Sequence, residues 1–508
     1  MSRTKSAFWG TISSQVFMVI SMLVNIVTTP IIVKQLSANI YGLSIIIFQI
    51  TGYLGTFDFG LGAGISRNLA GTRDGTDESK NKIEKIISTS FVVYAIIGSI
   101  IAIMGIALAP FAVKIFNVPT NYQNDVQPII SFVCVLVGLQ FLLRSISGIF
   151  FAHQRQVLSN SLGFALMISN TLLVLFFIYQ GFQLWSFVYA QLAGFIINSL
   201  LNLYFFRKHY KHLNVSYKKF DSKLLKDMFS YGVFIFINSL AVQVVFQTDR
   251  VLVGSIISLT AVSIYSLTTK LPELATTVIW KITDNAFPGM VELSKSGNNT
   301  RAFNDVHDRI MQLTLSISMI VFWMVLLVSY PFTRLWVGEQ FFAGTSFIIL
   351  VSGLYLIYHT ILHVTAVCLN GAGFVKGFSL MSLVEASLNI LLSILLCRAY
   401  GLKGAVLGTL LAGALTNGWF VPFIAFKYVK FNWKSYFMVI LKPVIVCSSF
   451  GITLYFLFHN AFRNIDSWFK LIVYGGGVAC FFAVPFFIIN KAMILSLRYN
   501  LKLKSQHA

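Results

Sequence analysis

Nine charged side chains that interrupt apolar runs of this sequence are the first candidates for chemistry or binding. Four are basic and five are acidic: Arg144, Arg250, Lys270, Lys281, Asp58, Asp249, Glu273, Asp284 and Glu385. A charge at the centre of a bilayer helix costs at least ~2.5–3.5 kcal/mol, so such residues are retained where they face a protein interior or a wet cavity. Six of the nine fall between residues 229 and 291. This concentration predicts a polar path through a membrane.

The two signs of charge predict different chemistry. Arg suits a phosphate because its planar guanidinium donates two parallel hydrogen bonds, whereas Lys offers a point charge. The residues that we expect to bind an anionic headgroup in a hydrated cavity are Arg144, Arg250, Lys270 and Lys281. The five carboxylates are candidates for coupling transport to protons or sodium ions. The alternative is structural, because intramembrane charges of opposite sign also pair and hold helices together.

Two kinds of neutral polar residue also recur inside the apolar runs. His359 and His363 are four residues apart and share one helix face. That spacing suits a metal, but no H-E-x-x-H motif accompanies it, so we expect helix packing or a protonatable pair and no metal site. Asn25, Asn170 and Asn389 should either hydrogen-bond neighbouring helices or line the cavity. No nucleotide-binding loop or nucleophile–base motif is visible, so we expect neither an enzyme nor a cofactor.

The composition sets the class of protein that positions these residues. The chain has 508 residues, of which 56% are hydrophobic and 11% charged. A soluble protein could not bury so much apolar surface, and the apolar runs are about 20 residues long, which indicates an all-α polytopic membrane protein. The net charge of +21 resides mainly in short loops. It therefore predicts membrane topology and contact with anionic lipids, and no nucleic acid.

The apolar runs predict about fourteen transmembrane helices joined by short loops. Their approximate ranges are 7–33, 41–66, 86–109, 128–151, 159–180, 184–206, 228–257, 262–290, 309–330, 347–369, 378–399, 405–426, 437–458 and 470–489. With the N-terminus inside, about 26 Lys and Arg lie on the cytoplasmic side and about 7 on the outer side. Both termini should therefore be cytoplasmic.

An internal repeat divides the predicted helices. Residues 36–41 resemble 259–265, and residues 132–138 resemble 347–353. The repeat predicts two six-helix lobes, 1–206 and 228–427, related by an axis along the membrane normal. A basic linker, 207–227, joins the lobes, and residues 428–508 add two helices and a basic cytoplasmic tail.

Three motifs carry a resemblance to a known family. The second span ends with the sequence DFGLGAGISR at 58–67, the seventh contains DRVLVG at 249–254, and the turn before the twelfth reads GLKGA at 401–405. The first copy of the last motif, GFQLW at 181–185, departs from the pattern. Taken in order, the motifs make residues 5–430 resemble the polysaccharide-export branch of the multidrug/oligosaccharidyl-lipid/polysaccharide exporter superfamily, which includes the Wzx-type flippases.

The resemblance implies a flippase of the bacterial inner membrane. Its substrate would be a polyprenyl-diphosphate-linked oligosaccharide, such as an O-antigen repeat unit of lipopolysaccharide, moved from the cytoplasmic to the outer leaflet by alternating access. The last two helices would form a groove for the lipid tail, and a polysaccharide polymerase and chain-length machinery would be partners. A multidrug or metabolite antiporter of the same superfamily is the alternative, and a membrane glycan polymerase is disfavoured by the short loops.

Overall fold

The computed structural model describes residues 3–69, 72, 76–153, 156–211, 213–295 and 300–491. Within these ranges the chain forms nineteen α-helices, two short 3₁₀ turns and one π-helical segment, and it forms no β-strand. Thirteen helical stretches of the described residues are long and apolar enough to cross a membrane. The prediction of an all-α polytopic membrane protein is confirmed.

The helices group into two compact units, Met1–Ser263 and Ile264–Ala508. The helices of the first unit are α1 (Arg3–Gln35), α2 (Ala38–Thr56), α3 (Leu61–Leu69), α4 (Asp77–Ile115), α5 (Thr120–Ala152), α6 (Gln156–Tyr179), α7 (Trp185–Tyr210) and α8 (Ser222–Ile256). Helix α9 (Leu259–Thr268) crosses the boundary. The helices of the second unit are α10 (Lys270–Asp284), α11 (Phe287–Lys295), α12 (Thr300–Trp336), α13 (Thr345–Ser352), α14 (His359–Gly371), α15 (Val375–Tyr400), α16 (Leu402–Leu415), α17 (Asn417–Tyr428), α18 (Trp433–Arg463) and α19 (Trp468–Phe481).

The boundary between the units lies after α8, whereas the sequence repeat predicted a linker, 207–227, before this helix. Helix α8 packs against α2 and α3 of the first unit. Hydrogen bonds across this contact join Tyr53 to Thr248 at 2.5 Å and Asn68 to Asp227 at 3.2 Å. Beyond α8, Thr260 of α9 donates to Asn39 of α2 at 2.6 Å. The two six-helix lobes of the sequence repeat stay a prediction.

The predicted span 262–290 is divided among α9, α10 and α11. Breaks fall at Thr269 and at residues 285–286. Each of the two later helices has a proline in its first turn, Pro272 in α10 and Pro288 in α11. Proline is tolerated there because the first N–H groups of a helix have no intrahelical acceptor, but it cannot continue a preceding helix. The segment that carries four of the nine predicted charges is therefore a series of short helices.

A turn at 57–60 separates α2 from α3. The Asp58 carboxylate accepts hydrogen bonds from the backbone N–H groups of Gly60 at 2.9 Å and Gly62 at 3.4 Å. Gly60 has a φ of +73°, and a Cβ at this position would lie 2.1 Å from the carbonyl oxygen of Gly232 on α8. Only glycine at residue 60 permits both this backbone conformation and this contact. Asp58 therefore stabilises the turn that brings α3 against α8.

The segment between α7 and α8 is held against the start of α4. Glu84 is buried and accepts hydrogen bonds from the backbone N–H of Asn214, at 2.7 Å, and from the ammonium of Lys219. Two hydroxyls extend the contact, because Ser88 accepts from the N–H of Ser216 at 3.1 Å and Thr89 from that of Asp221 at 3.0 Å. The predicted basic linker is therefore an ordered part of the first unit over its described residues from 213 onward.

The second unit has a related contact at the start of α12. Asn304 donates a hydrogen bond to the carbonyl of Lys430 at 3.2 Å, and the Asp308 carboxylate accepts one from Ser435. Asn432 then caps α18, as Asp221 caps α8. In each unit an acidic residue near the start of a long helix fastens the segment that enters a later helix.

Candidate functional site

A polar cavity of about 530 Å³ lies inside the first unit. Its walls come from α5, α6 and α7, with Phe48 of α2 at one side. Two predicted site residues, Arg144 and Asn170, line it. The volume lies within the range of about 300–1,000 Å³ that small-molecule sites occupy. The structure thus brings two of the predicted site residues into one cavity.

Arg144 on α5 is the one charged residue among those that line this cavity in the described part of the chain. Its guanidinium lies over the ring of Phe141, with Cζ 4.2 Å from the ring centroid. The guanidinium also lies close to Gly55 of α2, since a Cβ at that residue would be 3.7 Å from Nη2 of Arg144. No described carboxylate forms an ion pair with Arg144, and its N–H donors remain open to a ligand.

Carboxamides form much of the remaining polar wall of the cavity. Gln140, Asn170 and Gln191 line it, and none of the three hydrogen-bonds to another described residue. Asn202 donates to the side-chain oxygen of Asn198 at 2.8 Å and to its backbone carbonyl at 2.9 Å, which fixes one edge of the wall. No Asp or Glu belongs to the described lining, so the cavity favours an anion or a hydroxylated ligand over a cation.

Gln140 and Gln191 are not among the site residues predicted from the sequence, although their spacing carries a signal. Gln140 and Arg144 are four residues apart on α5, so they share a face with Ser147 three residues later. Gln191 and Asn198 are seven residues apart on α7, and Asn202 follows after four. A polar stripe of helical period within an apolar span would have indicated the cavity wall.

A second cavity of the first unit, of about 490 Å³, is apolar. It lies along α2, α4 and α5 and is lined by residues such as Leu54, Met104 and Cys134. Charged side chains are absent from its described lining. One unit therefore contains a polar cavity and an apolar cavity that share the helices α2 and α5.

A cluster of predicted residues forms in the second unit. Asp284 at the end of α10 accepts from Nε2 of His363 at 3.0 Å and from Nζ of Lys281 at 3.3 Å. Trp280 stacks on the His363 ring, with centroids 4.3 Å apart and an interplanar angle of 9°, and it meets His359 edge-on at 6.4 Å. The carboxylate that is absent from the sequence around the two histidines thus comes from another helix.

The remaining predicted site residues take part in local structure. Asp249 and Arg250 are buried in α8, where Arg250 donates to Gln247 at 2.9 Å. Lys270 is the first residue of α10, and Glu273 accepts from Thr269 at 2.9 Å.

Three further residues that were predicted as site residues also form hydrogen bonds within the protein. Glu385 is buried and accepts from Asn417, while Asn389 donates to Thr409 at 2.7 Å. Asn25 is exposed on α1 and donates to the carbonyl of Ser21 in its own helix at 2.8 Å. These contacts suit a structural role. Arg144 and Asn170 are the predicted residues that line the polar cavity.

Two comparisons of sequence identify relatives. The family model described as "Polysaccharide biosynthesis protein" matches residues 8–294. An uncharacterized membrane protein of Bacillus subtilis (strain 168), EpsK, is 21% identical over 483 residues, which cover 92% of each chain.

Solved structures share the fold. The lipid II flippase MurJ, in an inward closed conformation, superposes with a TM-score of 0.67 at 14% identity, over 96% of this chain and 100% of that chain. An inward-facing multidrug resistance transporter of the MATE family, in the MOP superfamily, gives a TM-score of 0.62 at 13% identity, over 86% of this chain and 98% of that chain. At these identities the likeness establishes the fold alone.

Proposed function

This chain belongs to the polysaccharide biosynthesis protein family, and we propose that it is a flippase for a polyprenyl-diphosphate-linked oligosaccharide. It is a multi-pass membrane protein with the fold of MurJ and MATE transporters. In the proposed reaction no covalent bond forms or breaks, because the headgroup is moved from the cytoplasmic to the outer leaflet of the inner membrane unchanged.

The observation that carries this proposal is the environment of Arg144. An arginine with open N–H donors, in a cavity whose described lining contains no carboxylate, is suited to an anionic ligand. A diphosphate presents the oxygens that a guanidinium binds bidentately. In the same unit, the apolar cavity along α2, α4 and α5 offers a surface to the lipid chain.

In the proposed mechanism, polar groups of the cavity replace the water that hydrates the headgroup. A charged headgroup cannot cross the hydrocarbon core unless polar groups compensate for its lost hydration. Arg144 supplies a positive charge, and the carboxamides supply donors and acceptors. The cavity would then open alternately to the two sides of the membrane, as in transporters of related architecture.

A binding measurement tests the proposed substrate class. The full-length protein in lipid nanodiscs would be titrated with a polyprenyl diphosphate and, separately, with tetraphenylphosphonium, a lipophilic cation. We expect saturable binding of the diphosphate and no competition by the cation. Binding of the cation with no binding of the diphosphate would contradict the proposal and favour a multidrug transporter.

A further inference from the structure

We propose that the carboxamide wall of the polar cavity, formed by Gln140, Asn170 and Gln191, is a sugar-binding subsite distinct from the phosphate-binding Arg144. The inference rests on the proposed function and adds to it which part of the substrate the amides recognise and which part Arg144 recognises. It predicts that these amides set the preference for the glycan, whereas Arg144 sets the affinity for the diphosphate.

The first support is that the three amides have no hydrogen-bond partner among the described residues. Gln140, Asn170 and Gln191 form no hydrogen bond with other described residues, yet each lies in a membrane helix. Two other mid-helix amides have partners within the described chain: Asn389 donates to Thr409 at 2.7 Å, and Asn160 donates to Ser13 at 2.9 Å. A polar side chain at membrane depth is costly unless it is hydrogen-bonded or faces a polar cavity. The three amides therefore face groups that the protein itself does not provide.

The second support is chemical complementarity. A carboxamide has two donors and an acceptor oxygen with two lone pairs, so it binds a hydroxyl or an acetamido group whichever way that group points. Neither the hydroxyl nor the acetamido group of a neutral sugar needs a charged residue to bind it. A protonated amine would need a carboxylate, and the described lining has none. The ligand class that fits is a neutral sugar, hydroxylated or N-acetylated, next to the diphosphate.

The third support is the arrangement of the wall along the membrane. The α7 lining runs from Phe187 to Asn202, a rise of about 22 Å at 1.5 Å per residue. Asn202 holds Asn198 by two hydrogen bonds at 2.8 and 2.9 Å, which gives the wall a fixed edge. Gly194 of α7 lies next to Asn170 of α6, since a Cβ at residue 194 would be 3.7 Å from Oδ1 of Asn170. The cavity is thus long enough for a headgroup that carries a sugar beyond its phosphates.

The test compares two probes on the intact protein in nanodiscs: a polyprenyl diphosphate and the same lipid bearing N-acetylglucosamine. Leucine replaces the amides at similar volume and suits a membrane helix, so we use Asn170→Leu, Gln191→Leu and the double variant. Each lost hydrogen bond should weaken binding of the glycosylated probe about fivefold. Binding of the bare diphosphate should stay within about twofold of the wild-type value.

The matched control is Thr171→Val on the same helix. The Thr171 hydroxyl donates to the carbonyl of Met167 in its own helix at 2.9 Å, so neither probe should lose affinity. The inference is overturned if the double variant keeps the wild-type preference for the glycosylated probe, or if it loses both probes equally. Failure of the proposed function looks different, because the wild-type protein would then bind neither probe.

Discussion

Replacement of Arg144 tests the phosphate-binding role with little risk to the fold. A charge-assisted hydrogen bond contributes about 1.5–3 kcal/mol, so Arg144→Ala should weaken binding of a polyprenyl diphosphate about 10- to 150-fold. No described carboxylate pairs with Arg144, so its removal leaves no unpaired charge. The lost contact with Phe141, at 4.2 Å, should lower the free energy of unfolding by about 0.5–1 kcal/mol only.

The assay is equilibrium binding to the protein in nanodiscs, accompanied by thermal unfolding of each variant. Arg144→Lys should recover part of the affinity, because the charge is retained while the planar fork is lost. The control is Arg398→Ala, which removes the same group from an exposed position at the end of α15. Wild-type affinity in Arg144→Ala would refute the reasoning. A loss of affinity in parallel with a large fall in melting temperature would assign Arg144 to structure.

Four other predictions follow from the fold and the charge pattern. Lys219→Met should lower the free energy of unfolding of the first unit by about 3 kcal/mol, because it removes the ammonium that pairs with buried Glu84. An unchanged melting temperature would show that this ion pair does not stabilise the unit. Gly60→Ala should destabilise by at least about 1–3 kcal/mol, since its Cβ would meet the Gly232 carbonyl at 2.1 Å, whereas Gly289→Ala, with no atom within 4 Å, should not. A topology reporter fused at Ser505 should read cytoplasmic and one within 114–127 external, and an external tail would mean an odd number of spans. The rate of flipping should depend on a membrane potential set by potassium and valinomycin. Moving the two negative charges of a diphosphate outward through ~150 mV releases about 7 kcal/mol. A flipping rate that does not change with the sign of the potential would exclude this driving force.

The sequence alone was sufficient for the class of fold. Apolar runs of about 20 residues identify membrane helices, because a helix of this length spans the hydrocarbon core and hydrogen-bonds its own backbone N–H and C=O groups. Arg144 and Asn170 could be singled out for the same reason, since a charge or an amide in such a run is costly. Both lie in the polar cavity.

Other features depend on packing that a single sequence does not encode in a readable way. Asp284 and His363 are 79 residues apart and meet only because α10 packs against α14. The division of the predicted span 262–290 into three helices was missed because the span was assigned from its apolar residues alone. None of α9, α10 and α11 is among the thirteen stretches of the described residues that are long and apolar enough to cross a membrane. The breaks between these helices could have been predicted from two prolines and two charged residues in the span: Pro272, Pro288, Lys270 and Asp284.

The most direct test of the account is transport itself. The purified protein would be reconstituted into liposomes with a fluorescent polyprenyl-diphosphate-linked disaccharide, and a membrane-impermeant quencher would report how much of the glycan faces outward with time. We predict rapid flipping by the wild-type protein, at least about tenfold slower flipping by Arg144→Ala, and wild-type flipping by Arg398→Ala. Liposomes with the wild-type protein that flip this lipid no faster than protein-free liposomes would contradict the proposed function.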